Sequence, residues 1–411
     1  MNSDLVCTDK HEKKEGGFRM KRIGSFLSAL LVVCLVLSVV CTVGSRPSEA
    51  AEHIKIGVVL SITGWGGFIG TPEKEAMVAV TEEVNRRGGV LGRQIELFIE
   101  DDQSNPTTAV IATTKLVRDL KVCMVLGPSI TDSGMAMIPT LEKEEVPFPV
   151  SGPVITSYKK WVFNVTPNDI INSSQVLDYA VNGLGGKRIA VMHDTAKFGM
   201  TGWKVFEDEI KKYPGASIVI EEEFATTDTT VVPQLSKIKA ANPDVMIIQS
   251  PGAQAGVVAK SYKQLGMKVM VTGPPGVASP EFLKIAGPIA EEYGWIIIGD
   301  RILVGDKLPA NEPYRKNIYD PFKKLIKNKY GESKMLSVFH AVGHDAIYIG
   351  IAALQMAGSD ARAAIRDALE KVKYEGMLGN FAGAKDDHRG FSKSTAIPII
   401  VKGNEYVPYY K

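Results

Sequence analysis

The sequence predicts an α/β protein made of two doubly wound lobes with parallel-rich sheets, joined at a hinge. Three observations carry that reading. Short, wholly apolar runs alternate with longer amphipathic stretches, as expected for strands buried on both faces between covering helices. The alternation occurs twice, over residues 54–150 and again over 188–299. At 411 residues the chain also exceeds what one hydrophobic core usually supports.

In the first series "IKIGVVL" (54–60), "QIELFIE" (94–100), "VCMVLG" (122–127) and "VPFPV" (146–150) read as buried strands. Between the first two, "PEKEAMVAVTEEVNRRGG" sets Ala76, Val80 and Val84 on one helical face and ends in glycines. "NPTTAVIATTKLVRDL" opens with Asn105 as a cap and Pro106 at the first helical position. In the second series "RIAVMHD" (188–194), "ASIVIEEEF" (216–224), "DVMIIQS" (244–250), "KVMVTG" (268–273) and "YGWIIIG" (293–299) are the strands. "NVTPNDI" (164–170) is the first crossing between the series. Residues 311–373 read as helical and 374–411 as β-rich. The expected division is 1–50 as N-terminal extension and signal, 51–167 with about 300–373 as one lobe, and 168–299 with about 374–411 as the other.

The N-terminal segment is set apart by composition. Lys21 and Arg22 precede an uncharged Leu/Val-rich run from Ile23 to Val43, followed by Ser48 and Ala50 at the spacing a signal peptidase reads. Export is therefore expected, with Met20 as an alternative start to Met1. The run spans 21 residues, long enough for a retained membrane anchor. Cys41 raises a lipoprotein, although Val40 before it is not the small residue that processing prefers. Residues 1–50 hold seven Lys/Arg and five Asp/Glu; taken from 48 basic and 46 acidic residues, these leave 41 of each sign beyond. A neutral chain without a basic run gives no support for nucleic-acid binding. Cys7, Cys34 and Cys41 precede the expected cut, so Cys123 remains alone, a core thiol with no disulfide partner.

In open α/β sheets a ligand sits beyond the carboxyl ends of the strands. Five polar or glycine-rich loops stand there: "SITGWGGFIGTP", "GPSITDSG", "HDTAKFG", "QSPGAQAG" and "TGPPGVAS". Drawn from both series, they predict one cleft. In the second of these loops, Ser129, Thr131 and Ser133 meet the start of a helix. Their hydroxyls either cap that helix or hold something arriving from solvent, because both uses share one geometry. Trp65, in the first loop, is a wall candidate.

"IKIGVVLSITG", "NRRGGVLGRQIELFIEDDQSNP", "GPSITDSGMAMIPTLEKEEVP", "WVFNVTPND", "KRIAVMHDTAKFG" and "VTGPPG" together resemble the periplasmic leucine/isoleucine/valine-binding proteins, solute receptors of ABC importers. The resemblance runs in consistent order from about Ile54 to the C-terminus. It implies a type I periplasmic binding protein fold, two Rossmann-like lobes with three crossings, which closes around a small solute and delivers it to a membrane permease. It further implies that Thr131, with Ser129 nearby and backbone N–H groups at the helix start, binds the ligand carboxylate. A second anchor is implied in "VSGPVITS", at Ser151, Val154 or Thr156. Phe198 stands where an aromatic ring closes over the ligand, and Phe339 and His340 begin a helix beside the cleft.

The sequence departs from that pattern at Pro275, where amino-acid-binding members carry an acid for the ligand's α-ammonium. Burying an ammonium without an opposite charge costs several kcal/mol. Asp132 and Asp194 are reachable substitutes; otherwise the ligand lacks an ammonium, and the sequence leans that way, to a simple carboxylate or an amide. "QSPGAQAG" offers Gln249, Ser250 and Gln254 as polar candidates.

His340 and His344 share the spacing of a zinc pair, but the glutamate of HExxH is missing and no further ligand is evident, so no metal is expected. The His193–Asp194 pair reads as structural. No nucleophile elbow, Walker loop or dinucleotide-binding loop follows a strand, so neither an enzyme nor a cofactor is expected. The resulting expectation is a monomeric, extracytoplasmic binding protein for a small carboxylate-bearing solute, partnered by an ABC permease. The alternative is a membrane-anchored sensory ligand-binding protein.

Overall fold

The computed structural model describes residues 52–152 and 158–410. The N-terminal segment expected to be an export signal therefore lies outside the described residues. Among those described, no helix is long and apolar enough to cross a membrane.

The first sheet is parallel, in the order β2 (Ile95–Asp101), β1 (Ile54–Leu60), β3 (Met124–Leu126). A bridge from Gly127 to Val150 continues it into the parallel pair β4 (Phe148–Val150) and β5 (Val162–Asn164). Period-2 alternation decides where each side chain goes. Ile56, Val58 and Leu60 join the core cluster under helix α1 (Gly67–Arg86), whereas Val59 faces the cluster of Leu116, Met137 and Phe148. Both faces are thus covered, which is why these strands read as unbroken apolar runs. Helices α2 (Pro106–Thr114) and α3 (Thr131–Lys143) pack over the second of these clusters. As the sequence indicates, Asn105 caps α2 through its side chain and Pro106 occupies its first position.

After helix α4 (Asp169–Asp178), capped by Asn168, a second parallel sheet follows. Its order is β7 (Ser217–Phe224), β6 (Arg188–Asp194), β8 (Val245–Gln249), β9 (Met270–Thr272). Ala190, Met192, Met246 and Ile248 face one cluster, and Ile189, Val191 and Ile247 face another with Phe206. The helices connecting these strands are α5 (Lys197–Glu209), α6 (Val232–Ala240) and α7 (Gly252–Gln264). Helix α8 (Pro280–Glu292) then leads to β10 (Ile297–Gly299), whose Ile298 N–H donates to the Gly273 carbonyl beside β9.

The tail divides between the two sheets. Helix α9 (Asp320–Tyr330) and helix α10 (Val338–Ala357) pack against α1. Helix α11 (Arg362–Leu369) is fixed by the Arg362 guanidinium, which donates to the carbonyls of Val117 and Val122. The hairpin β11 (Lys373–Glu375) and β12 (Asn380–Ala382) leads on to His388, which stacks on Phe163 of β5. Strands β13 (Ile397–Lys402) and β14 (Glu405–Pro408) instead extend the second sheet antiparallel to β10. Cys123 is buried and free, its thiol pushed up to about 12 mainly by burial, so it is inert.

Candidate functional site

The carboxyl ends of the strands in both sheets face one cleft with a cavity volume of about 110 Å³. Trp65, Ile69 and Val342 supply apolar wall from one side, and Phe198 with Pro274, Pro275 and Gly276 from the other. The close approach of elements at its floor depends on glycine. At Gly127, with φ +112°, a Cβ would lie 2.0 Å from the Val59 carbonyl oxygen. At Gly70 a Cβ would lie 2.2 Å from the Ser61 carbonyl oxygen and 2.8 Å from Ser129 Oγ. Any side chain there would force α1 away from β1.

The question raised by the hydroxyls before α3 is answered by its cap. Ile130 is the N-cap residue, and no side chain bonds to the first turn. Thr131 is 3% exposed, lines the cleft, and its Oγ1 has no hydrogen-bond partner. Ser129 differs: its hydroxyl donates to Glu73 Oε2 at 2.6 Å and accepts from the Ser61 N–H at 3.1 Å. Glu73 is wholly buried, and burial pushes its carboxyl up to about 8. Ser129 thus lines the cleft but spends its polarity on the floor. The hydroxyls of Thr131 and Ser133 are both unpartnered, and of these two only Thr131 lines the cleft beside the uncapped helix start. Such a terminus concentrates unsatisfied N–H groups and the positive end of the helix dipole.

The other anchors sort in the same way. Ser151 lines the cleft, but its hydroxyl donates to the Pro128 carbonyl at 3.1 Å. Val154 and Thr156 lie outside the described residues. Phe198, Pro275 and Phe339 line the cleft, and Phe339 is held edge-on by Phe68 at 5.8 Å.

Three sequence-derived candidates sit off the wall. Gln249 is buried beneath α5, where a Cβ at Gly202 would lie 2.3 Å from its side-chain carbonyl carbon. Ser250 donates to the Asp194 carboxylate at 2.7 Å. His340 is turned away to cap its own helix. Its Nδ1 accepts from the Ser337 N–H at 3.1 Å, while Nε2 faces Glu75 at 3.1 Å. Burial lowers its tendency to protonate, which agrees with a neutral ring accepting at Nδ1. His344 is engaged separately with Asp345 at 2.8 Å. The His193 ring is committed to the Asp194 carbonyl and to Glu221.

A family profile described as periplasmic binding protein matches residues 53–400. The chain belongs to the periplasmic binding protein family. This binding protein is 26% identical over 352 residues to the leucine-, isoleucine-, valine-, threonine- and alanine-binding protein of Pseudomonas aeruginosa, covering 84% of this chain and 89% of that relative. It is 24% identical to the Leu/Ile/Val-binding protein of Escherichia coli, with 69% and 76% covered. Among solved structures it superimposes on an extracellular ligand-binding receptor of Rhodopseudomonas palustris HaA2 with a TM-score of 0.78, at 27% identity, covering 87% of this chain and all of that one. A solute-binding protein from Rhodopseudomonas palustris BisB5, solved with 3,4-dihydroxybenzoic acid, shares the fold at a TM-score of 0.72 and 21% identity, with 87% and 96% covered. The resemblance drawn from the motifs therefore holds, and with it the two-lobed type I fold.

Sequence reasoning missed several cleft residues of this binding protein. Thr166, Pro167 and Asn172 line it from the first crossing and the start of α4. Leu378 reaches it from the tail. The most consequential omission is Asp300, which lines the cleft directly after β10. The strand-end rule that located five loops would have located this one, since "YGWIIIG" ends at residue 299. Asp132 also lines the cleft, but its carboxylate already accepts from the Lys197 N–H at 3.1 Å. Asp194 accepts from Ser250 and from the Ala196 N–H and does not reach the wall.

Proposed function

We propose that the chain is an extracytoplasmic solute-binding receptor of an ABC importer, capturing a small carboxylate-bearing solute by closure of its two lobes. The single observation that carries the reading is the uncapped start of α3 beside the unpartnered Thr131 hydroxyl, opening into a cleft with aromatic and proline walls. An anion satisfies both groups at once, and the helix dipole favours it. Aromatic and proline walls then take the apolar body of the solute. A ligand that touches both lobes favours the closed form, a population shift driven by contacts available only when the walls meet. The relatives' names point to branched-chain and small aliphatic amino acids. No catalytic step is part of this reading.

A thermal-shift screen of the purified protein against amino acids, aromatic and aliphatic acids, and amides tests it. A carboxylate ligand should raise the midpoint in a concentration-dependent way, by mass action. If amides or sugars bind and no carboxylate does, the anion-capture reading fails.

A further inference from the structure

The cleft has a second polar pole, opposite in sign to the first. Asp300 is 3% exposed and lines the cavity, yet its carboxylate has no hydrogen-bond or ion-pair partner among the described residues. Only its backbone is engaged, its carbonyl accepting from the Leu303 N–H at 3.0 Å. The neighbouring acids are all occupied. Asp132 holds the Lys197 N–H, Asp194 holds Ser250, and Asp345 accepts from the N–H groups of Met377 and Leu378. Among the described residues no Lys or Arg lines the cavity to neutralise Asp300. Arg301, next in the chain, is paired with Glu312 and lies over the Tyr314 ring at 4.4 Å. A buried carboxylate without a partner is costly, and none of the described wall residues supplies one.

We propose that Asp300 receives a cationic hydrogen-bond donor of the solute, so that the cleft selects a zwitterion, an amine beside a carboxylate, over the corresponding simple acid. This deepens the receptor reading and rests on it. The acid stands at the end of β10, whereas the loop holding Pro275 carries none, so this proposal runs against the sequence's lean towards a ligand without an ammonium. The two poles divide the work: α3 and Thr131 take the carboxylate, and Asp300 takes the amine.

The titratable groups interacting with Asp300 are Asp345 from α10 and Tyr314 from the segment that follows Asp300; Asp132 is the other acid among the described residues that line the cavity. Burial first, and then Asp345, push its carboxyl up to about 7. A bound ammonium opposes both effects, so binding from below that pH expels a proton.

Calorimetric titration with an α-amino acid, its hydroxy-acid analogue and its deaminated analogue tests the assignment, near pH 6 and near pH 8 and in buffers of different ionisation enthalpy. The wild type should bind the amino acid about tenfold or more tighter than the deaminated acid. That affinity should rise with pH, with proton release near pH 6. Asp300→Asn and Asp300→Ser should lose the preference and the pH dependence while still binding the deaminated acid. Equal affinity for amino and deaminated acids in the wild type, or an intact preference in both variants, overturns the assignment. Tightest binding of the hydroxy acid, lost in the variants, makes the donor a hydroxyl and overturns the zwitterion. The amino acid titrated is the tightest found in the thermal-shift screen; if no carboxylate in that screen binds the wild type, the receptor reading falls and takes the assignment with it.

Discussion

The carboxylate of Asp132 accepts a hydrogen bond from the backbone N–H of Lys197 at 3.1 Å. Asp132 lies in the first turn of α3, which covers the first sheet, and Lys197 is the first residue of α5, which covers the second. Ala196, the N-cap residue of α5, has no side chain able to cap it. One lobe therefore supplies, across the cleft, the helix cap that the other lacks.

Asp132→Ala removes that cap, and because the bond joins the two lobes the loss is expected to fall on the closed form. An N-cap is worth about 0.5–2 kcal/mol, so solute affinity should fall by roughly 2- to 30-fold. The loss should appear as faster dissociation in stopped-flow measurements. An unchanged dissociation rate would detach this contact from closure.

Thr131→Ala should weaken carboxylate binding by about 1–3 kcal/mol, since a charge-assisted partner is lost from a buried position. Thr131→Ser should retain most of the affinity because the hydroxyl remains. Calorimetry with any carboxylate ligand separates the two variants; equal affinities for both would remove Thr131 from the site.

His340 is assigned to helix capping, and a mutant tells this from ligand contact. His340→Ala breaks its bond with Ser337 and its link to Glu75, which in turn is paired with Lys334. The thermal midpoint should drop by an amount equivalent to about 1–2 kcal/mol, with solute affinity nearly unchanged. A large affinity loss at unchanged stability would return His340 to the cleft.

Much of this site was legible in the sequence because strand ends announce themselves. Trp65, Ser129, Thr131, Ser151, Phe198, Pro275 and Phe339 all follow or adjoin apolar runs, and all line the cleft. What the sequence withheld was direction. Ser129 and Thr131 are two residues apart in one loop, yet one hydroxyl turns to Glu73 and the other to the cavity. That difference is set by the buried carboxyl of Glu73, 56 positions away. Gln249 and Ser250 end a strand just as Ser129 follows one, but the tight seat of Gly202 covers the former and Asp194 claims the latter. Asp300 stands at a strand end like the others, but only Arg301 follows it before the apolar Ile302, Leu303 and Val304, so it lacks the polar or glycine-rich run that marks the five loops.

The buried acids also set a pH dependence of stability. Burial raises the carboxyls of Asp194 to about 6, Asp300 to about 7 and Glu73 to about 8, and Asp169 well above its ordinary value. For a raised group the folded state holds its proton more tightly than the unfolded chain. Its contribution is complete below the unfolded value near 4 and is lost as pH rises through the folded value. The midpoint of the unliganded protein should therefore fall between about pH 5 and pH 8. Glu73→Gln should flatten that fall, by up to roughly 1.4 kcal/mol per pH unit. Thermal denaturation across that range checks it; a midpoint that rises with pH contradicts the burial assigned to these carboxyls.

The most direct measurement is a crystal structure of the protein with the tightest carboxylate found in the screen. A carboxylate oxygen should lie within about 3 Å of Thr131 Oγ1 and of N–H groups in the first turn of α3. A solute bound with its carboxylate turned away from that turn, or bound outside the cleft altogether, would contradict the account.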